Sequence, residues 1–138
     1  MNQLPVDHII ALLDQQLPAL QGVYVYGSFA SGDITDSSDL DLGLLLSAVE
    51  AKKVKLDDIL DIQVELESLL SRSVDLVNMR TASTVLQFEI VNTGTRVFTA
   101  DPFEVDLYEL LAISLYQKLV IERRDIVEEG LKTGFYLL

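Results

Sequence analysis

The segment from residue 39 to residue 78 has the pattern of two strands joined by a helix. Residues 39–46 begin with strict alternation of Asp and Leu, which predicts a strand. Residues 56–70 repeat apolar side chains at helical spacing, and residues 73–78, Ser-Val-Asp-Leu-Val-Asn, predict a third strand. Because strands joined through a helix are commonly parallel neighbours in one sheet, the segment predicts a parallel crossover unit.

The segments before this unit predict a helix, a strand and a loop. Apolar side chains recur at helical spacing in residues 6–20. Residues 22–27 are β-branched and aromatic and are bounded by glycines, as expected of a buried strand. Residues 28–38 are small and polar, which predicts a turn followed by a loop.

The segments after it complete a fold of the α/β (α+β) class. They predict a helix, a short strand and a long helix, at residues 84–92, 95–98 and 101 to about 129. Gly94 is expected to end the first of these helices and Gly130 the second. The 138 residues therefore predict a single domain with a small mixed sheet of three to four strands, flanked by helices. We expect its core at about residues 5–100 and a C-terminal helical segment at residues 101–138.

The chain is strongly acidic. It has 22 Asp and Glu residues against 10 Lys and Arg residues, and a formal net charge of −12. This charge argues against a protein that binds nucleic acid phosphates or an anionic membrane, since each kind of binding needs a basic surface. There are no cysteines, which excludes disulfides, thiolate zinc sites and a cysteine nucleophile. The sequence shows neither a secretion signal nor an apolar run of about 18 residues, so we expect a cytoplasmic protein.

Two aspartates at the beginning of the second predicted strand, Asp39 and Asp41, indicate a metal site. Side chains two positions apart on a strand lie on the same face, so these carboxylates stand side by side while Leu40 and Leu42 face the core. Two adjacent carboxylates repel each other unless a cation neutralises them. Mg²⁺ suits such a pair, because it takes one or two carboxylates and completes its coordination with water and substrate phosphates.

Gly27, Ser28 and Asp75 extend this pattern. Gly27 and Ser28 lie where the first predicted strand turns, and a glycine there lets the backbone approach a ligand closely. Successive backbone N–H groups at a turn form an anion-binding concavity. Asp75 lies near the start of the third predicted strand, so parallel pairing would bring it to the same sheet edge as Asp39 and Asp41. Together these residues predict a site for a metal-bound nucleoside triphosphate.

The stretch Tyr26-Gly-Ser-Phe-Ala-Ser-Gly32, followed by Ser37-Ser-Asp-Leu-Asp-Leu42, resembles the signature of the DNA polymerase β-type nucleotidyltransferase superfamily. With its short length, the chain is similar to the minimal nucleotidyltransferase (MNT) branch, the antitoxins paired with HEPN ribonuclease toxins. The resemblance covers about residues 5–100, and residues 73–80 match its third-strand region.

The resemblance implies an activity and a role for each candidate residue. Relatives of this kind transfer AMP from ATP to a tyrosine hydroxyl of the toxin and so silence it. By resemblance, Asp39 and Asp41 are metal ligands, Asp75 is a metal ligand or general base, and Gly27 and Ser28 bind phosphate. Two Mg²⁺ ions are the implied cofactors and ATP is the implied substrate. The implied partner is a HEPN toxin in a hetero-oligomer, with no direct contact to nucleic acid or to a membrane.

One departure from the signature concerns the phosphates. Many relatives have Arg or Lys directly after the Gly-Ser pair or two residues later, where this chain has Phe29 and Ser31. A cation from elsewhere must then serve the triphosphate, with Arg80, Lys52 and Lys53 as candidates by elimination. Two alternatives stay open: a binding-only antitoxin that occludes the toxin sterically, and nucleotidyl transfer to a small molecule.

His8 and the C-terminal tail complete the candidate features. His8 is the only histidine, and we expect it at the surface of the first helix rather than in catalysis. Residues 134–138 are apolar and uncharged, and such a tail frays unless it docks. It either caps the core of this domain or binds a partner.

Overall fold

The structure, a computed structural model, describes residues 4–32 and 39–133. Its sheet consists of β1 (Leu20–Tyr26), β2 (Leu40–Leu46), β3 (Val74–Asn78) and β4 (Thr95–Thr99). The helices of the described residues are α1 (Val6–Gln16), α2 (Ser28–Ser31), α3 (Ala48–Lys53), α4 (Leu56–Leu70), α5 (Thr84–Thr93) and α6 (Pro102–Thr133). A short 3-10 helix, Met79–Thr81, follows β3.

The strand order across the sheet is β3-β2-β1-β4. β2 and β3 are parallel and are joined through α3 and α4, which confirms the predicted crossover unit. β1 pairs in antiparallel orientation with both β2 and β4, so the sheet is mixed, as predicted. β1 therefore ends where β2 and β3 begin. We call this end of the sheet, where Tyr26, Asp41 and Asp75 lie, the acidic end; the opposite end holds Leu20 and Leu46.

Helices cover both faces of the sheet. Alternate residues of β2 point to opposite faces. On one face, the even-numbered leucines of β2 pack under buried residues of α1 and α4: Ile9, Leu13, Ile59, Ile62 and Leu66. On the other face, Tyr24 and Leu45 pack under buried residues of α5 and α6: Ile90, Val105, Tyr108 and Ala112. The sheet between two helical layers confirms the predicted α/β class.

The N-terminal elements differ in two places from the sequence prediction. The helix predicted over residues 6–20 ends at Gln16, because Pro18 lacks a backbone N–H and disfavours helical backbone in the residue before it. The loop predicted over residues 28–38 begins instead with the short helix α2, which ends at Ser31 and is followed by Gly32 as its C-cap. The rest of that predicted loop, residues 33–38, lies outside the described residues.

Two later elements also differ. The sequence prediction missed α3, whose first turn is capped by the Ser47 hydroxyl, an acceptor for the Glu50 N–H at 3.3 Å. The prediction that Gly130 stops the last helix was wrong, since α6 continues to Thr133. A glycine inside a helix costs only about 1 kcal/mol relative to alanine, and the neighbours of Gly130 are good helix formers.

A polar network fixes the first half of α6 on the sheet. The hydroxyl of Tyr24, a buried side chain of β1, donates a hydrogen bond to Glu109 of α6. Arg96 of β4 pairs with Asp106 at 2.8 Å and with Glu109 at 3.3 Å. Burial and the Glu109 carboxylate raise the pKa of Tyr24 well above its usual range, so its hydroxyl stays protonated and keeps donating.

The second half of α6 leaves the body of the domain. Tyr116 of α6 stacks on Phe88 of α5 with 3.9 Å between ring centroids, and beyond it most described side chains are exposed. They include large apolar residues, namely Val120, Ile121, Ile126 and Leu131. The apolar tail at residues 134–138 lies outside the described residues. No described helix combines the length and the apolar character needed to cross a membrane.

Candidate active site

Three side chains form a row across the acidic end of the sheet. Asp41 of β2 is paired with Tyr26 of β1 on one side and with Asp75 of β3 on the other. Residues directly opposite on neighbouring strands point to the same face. Asp39 lies two residues before Asp41, just ahead of β2, and its side chain is exposed. The structure thus brings Asp39, Asp41 and Asp75 together, as expected for parallel neighbours.

The three carboxylates interact electrostatically. Partial burial, followed by the charges of Asp75 and Asp39, raises the pKa of the half-buried Asp41 carboxyl above its ordinary value. Burial together with the charges of Asp41, Asp75 and Glu89 raises the pKa of the Tyr26 hydroxyl. These directions show that negative charge accumulates at this end of the sheet, and a bound cation would relieve it.

Replacing Asp75 is expected to stabilise the ligand-free domain slightly. Because the folded-state pKa of Asp41 is raised, Asp41 favours folding most at low pH, and that contribution is lost as the pH rises through its folded pKa. Asp75→Asn removes one of the charges that raise the pKa of Asp41. The variant should therefore gain unfolding free energy over the wild type above the folded-state pKa of Asp41, and the gain should vanish in acid. We expect about 0.2–1 kcal/mol at pH 7, the size of a like-charge pair across two strands.

The measurement is urea unfolding of the wild type and Asp75→Asn at several pH values in the presence of a chelator. Asp61→Asn, which removes an exposed charge in the middle of α4, is the matched control and should change stability little at any pH. A loss of stability at pH 7 in Asp75→Asn alone would contradict the repulsion inferred for the three carboxylates.

Gly27 brings the backbone of the turn into contact with this row. Its φ is +69°, a conformation that side chains with a Cβ rarely adopt. A Cβ built on Gly27 would lie 2.3 Å from Oδ2 of Asp41, so the carboxylate occupies the space that a side chain would need. Ser28 begins α2 directly afterwards, and the first N–H groups of a helix have no acceptor within it. The carboxylate of Asp41 therefore lies directly against the turn whose N–H groups are candidates for binding phosphate.

The donor set fits Mg²⁺, although the protein alone does not enclose an ion. Among the described residues, no three His, Cys, Asp or Glu side chains are arranged to hold a metal by themselves. Mg²⁺ does not need such a cage, since it usually keeps several waters and binds one or two carboxylates plus substrate phosphates. The crowded, half-buried carboxylate of Asp41 beside the Gly27 turn suits that kind of shared coordination.

The basic residues named from the sequence lie elsewhere. Arg80 donates to the carbonyl of Leu46 and, at 2.8 Å, to Gln21, at the opposite end of the sheet. Lys52 and Lys53 belong to α3, which follows the same end of β2. Leu46 lies five positions beyond Asp41 along β2, or about 17 Å away, so these three candidates do not lie at the acidic end. An open cavity of about 550 Å³ also lies at that end, lined by Leu46 and Lys53 among others.

Sequence reasoning missed one basic residue at the acidic end. Arg72 lies between α4 and β3, and its guanidinium lies 4.8 Å from the centroid of the Phe29 ring. Its position immediately before the predicted third strand was the signal that could have found it. His8, in contrast, is exposed on α1, as expected.

Comparison with known proteins assigns this arrangement to a family. Residues 7–103 match the family model described as polymerase beta, nucleotidyltransferase. The chain belongs to the polymerase β nucleotidyltransferase family. Over 131 residues it is 34% identical to the protein adenylyltransferase MntA of Shewanella oneidensis, covering 94% of this chain and 89% of that relative.

Solved structures of this nucleotidyltransferase family agree over most of the chain. A toxin–antitoxin crystal structure with AMP-PNP has a TM-score of 0.80 and 31% identity, covering 93% of this chain and 99% of that chain. A second match is to a structure of tri-AMPylated Shewanella oneidensis HEPN toxin in complex with MNT antitoxin. The matched chain has a TM-score of 0.75 and 30% identity, and the match covers 95% of this chain and 99% of that chain. Most of the chain therefore has counterparts in solved toxin–antitoxin complexes.

Proposed function

We propose that this chain is an ATP-dependent protein adenylyltransferase that transfers AMP to a HEPN-type toxin and thereby neutralises it. The observation that carries this proposal is the contact between the Gly27 turn and the carboxylate of Asp41, within a row that also contains Asp75. The similarity to the adenylyltransferase MntA and to an antitoxin bound to an AMPylated toxin supplies the reaction and the partner.

Each residue of the acidic end has a role in this proposal. Asp39 and Asp41 would hold Mg²⁺, with Asp75 as a further ligand or as the general base, and the backbone N–H groups at Gly27 and Ser28 would receive the phosphates. When bound, two Mg²⁺ ions would supply positive charge to the reacting phosphate and the leaving group. The chain itself would contribute the alignment of the nucleotide and the acceptor hydroxyl.

The proposed transfer is a single displacement at the α-phosphorus of ATP. An acceptor hydroxyl of the toxin, proposed to belong to a tyrosine, forms the new oxygen–phosphorus bond. The bond between the α-phosphorus and the oxygen that bridges it to the β-phosphorus breaks, and pyrophosphate leaves. The hydroxyl proton would pass to a base, and the exposed carboxylate of Asp75 is our candidate for it. ATP and Mg²⁺ are both supplied by the cytoplasm, where we place the reaction.

The proposal is tested by incubating the protein with a HEPN partner and ATP labelled at either the α- or the γ-phosphate. Label from the α-phosphate should stay on the partner, label from the γ-phosphate should not, and exhaustive chelation should stop the transfer. Transfer of the γ-phosphate would indicate a kinase, and transfer that survives chelation would contradict the metal-dependent mechanism. His8→Ala should transfer normally, because His8 lies on the exposed side of α1.

A further inference from the structure

Arg72 is held at the acidic end by the backbone around it. Ser71 ends α4 with a φ of 51°, in the left-handed region, and so turns the chain sharply back toward the sheet. The carbonyl of Ser73 then accepts a hydrogen bond from the N–H of Leu40 at 2.9 Å. Since Ser73 is fixed beside the first residue of β2, Arg72 lies next to the strand that carries the carboxylate pair.

The guanidinium of Arg72 lies against α2, the short helix that directly follows the Gly27 turn. It lies 4.8 Å from the ring centroid of Phe29, which is only 4% exposed and therefore a fixed platform. Phe29 directly follows Ser28 in the chain. Stacking engages the flat face of a guanidinium, whereas hydrogen bonds to phosphate oxygens use the N–H groups at its edge, so the two contacts are compatible.

The charge balance at the acidic end favours a basic residue here. Asp39, Asp41 and Asp75 all contribute negative charge, and residues 1–51 contain no Lys or Arg. Of the other arginines with described contacts, Arg80 binds at the opposite end of the sheet and Arg96 pairs with carboxylates of α6. A bound polyphosphate would add further negative charge. Divalent cations would have to neutralise both the phosphates and the carboxylates, so a basic side chain here would help to balance the charge.

We infer that Arg72 binds the triphosphate of the nucleotide, supplying the positive charge that the Gly27 turn lacks. The inference rests on the proposed function, because it requires a nucleotide at the acidic end. Many relatives have a basic residue at the position of Phe29, directly after the Gly-Ser pair. In this chain the Phe29 ring instead packs against the guanidinium of Arg72, which lies in the turn before β3. The planar guanidinium can bridge two phosphate oxygens, which a lysine ammonium does less specifically.

The test compares the affinities of the full-length wild type and Arg72→Ala for ATP and for adenosine, by calorimetry and competition with Mg²⁺ present. Arg72→Ala should weaken ATP binding about 10- to 100-fold, the effect of losing hydrogen bonds to a charged group. Adenosine carries no phosphate, so its affinity should not change. Arg72→Lys should recover part of the ATP affinity, and in AMP transfer the loss should raise the KM for ATP more than it lowers kcat.

Arg80→Ala is the matched control, because that guanidinium also lies over an aromatic ring, 5.1 Å from the centroid of Tyr108, but at the opposite end of the sheet. It should lower the melting temperature and leave ATP affinity unchanged. Equal losses for ATP and adenosine in Arg72→Ala would show a structural role and overturn the inference. Normal ATP binding by Arg72→Ala would overturn it and leave the proposed function standing, whereas a wild type that binds no ATP would overturn the proposed function itself.

Discussion

Replacing Asp39 and Asp41 together by asparagine should lower the rate of AMP transfer by about 10³-fold or more while the protein stays folded. Loss of a general base or of one charged group that stabilises the transition state each costs a factor of about 10² to 10⁴. Asparagine keeps the size of the side chain but cannot neutralise a divalent cation as a carboxylate does. The measurement is the single-turnover rate of AMP transfer to the partner at saturating ATP and Mg²⁺.

The same double variant separates catalysis from folding. Removing two crowded charges should leave the melting temperature of the ligand-free protein equal to or above that of the wild type, since burial, followed by repulsion from Asp75 and Asp39, raises the pKa of Asp41. Asp57→Asn combined with Asp61→Asn removes the same charge from exposed positions of α4 and should transfer AMP normally. Transfer at the wild-type rate by the Asp39 and Asp41 variant would place the catalytic site elsewhere.

Gly27→Ala should reduce AMP transfer by about 100-fold or more, for a reason that is geometric. The new Cβ would lie 2.3 Å from Oδ2 of Asp41, so either the carboxylate or the turn must move. A displacement of about 1 Å in a positioned group is enough for a loss of that size. Strain at the positive φ of +69° should also cost about 1–3 kcal/mol of unfolding free energy.

Gly32→Ala distinguishes the displaced carboxylate from backbone strain. Gly32 also has a positive φ, +87°, but no described residue has an atom within 4 Å of a Cβ built there. This variant should lose similar stability and keep most of its transfer rate. Equal losses of rate in Gly27→Ala and Gly32→Ala would mean that general strain in the turn, and not contact with Asp41, explains the effect.

The neighbouring relation of Asp41 and Asp75 could be predicted from sequence because it depends on strong local signals. The alternating start of β2, the helical repeat of α4 and the short β3 define a crossover, and a crossover implies parallel strands. Parallel strands that each carry an acid near their start bring those acids to one end of the sheet. The roles of these residues as ligands or base remain predictions.

The elements that were mispredicted depend on weaker or non-local signals. α2 has four residues, too few for a helical repeat to show, and it forms where the chain turns back from β1. Gly130 was expected to stop α6. A glycine ends a helix only where the backbone leaves the helical conformation, and α6 stays helical through Gly130 to Thr133. Arg72 was missed because its relation to Phe29 joins residues 43 positions apart, which only the packing of α4 and α2 against the sheet creates.

The number of toxin molecules neutralised by each molecule of this protein distinguishes an enzyme from a binding-only antitoxin. An enzyme can neutralise many toxin molecules, whereas a steric inhibitor must stay bound to each one. The small-molecule alternative needs a further substrate-binding region, and the described residues are accounted for by the sheet, its two helical layers and the projecting half of α6.

The most direct measurement is therefore the ribonuclease activity of the HEPN partner, titrated with this protein in the presence and absence of ATP and Mg²⁺. The account predicts that, with ATP, far less than one molecule of this protein per toxin abolishes the activity over time, and that the inactivated toxin carries AMP by mass spectrometry. Loss of activity only at equimolar protein, independent of ATP and without AMP on the toxin, would contradict it.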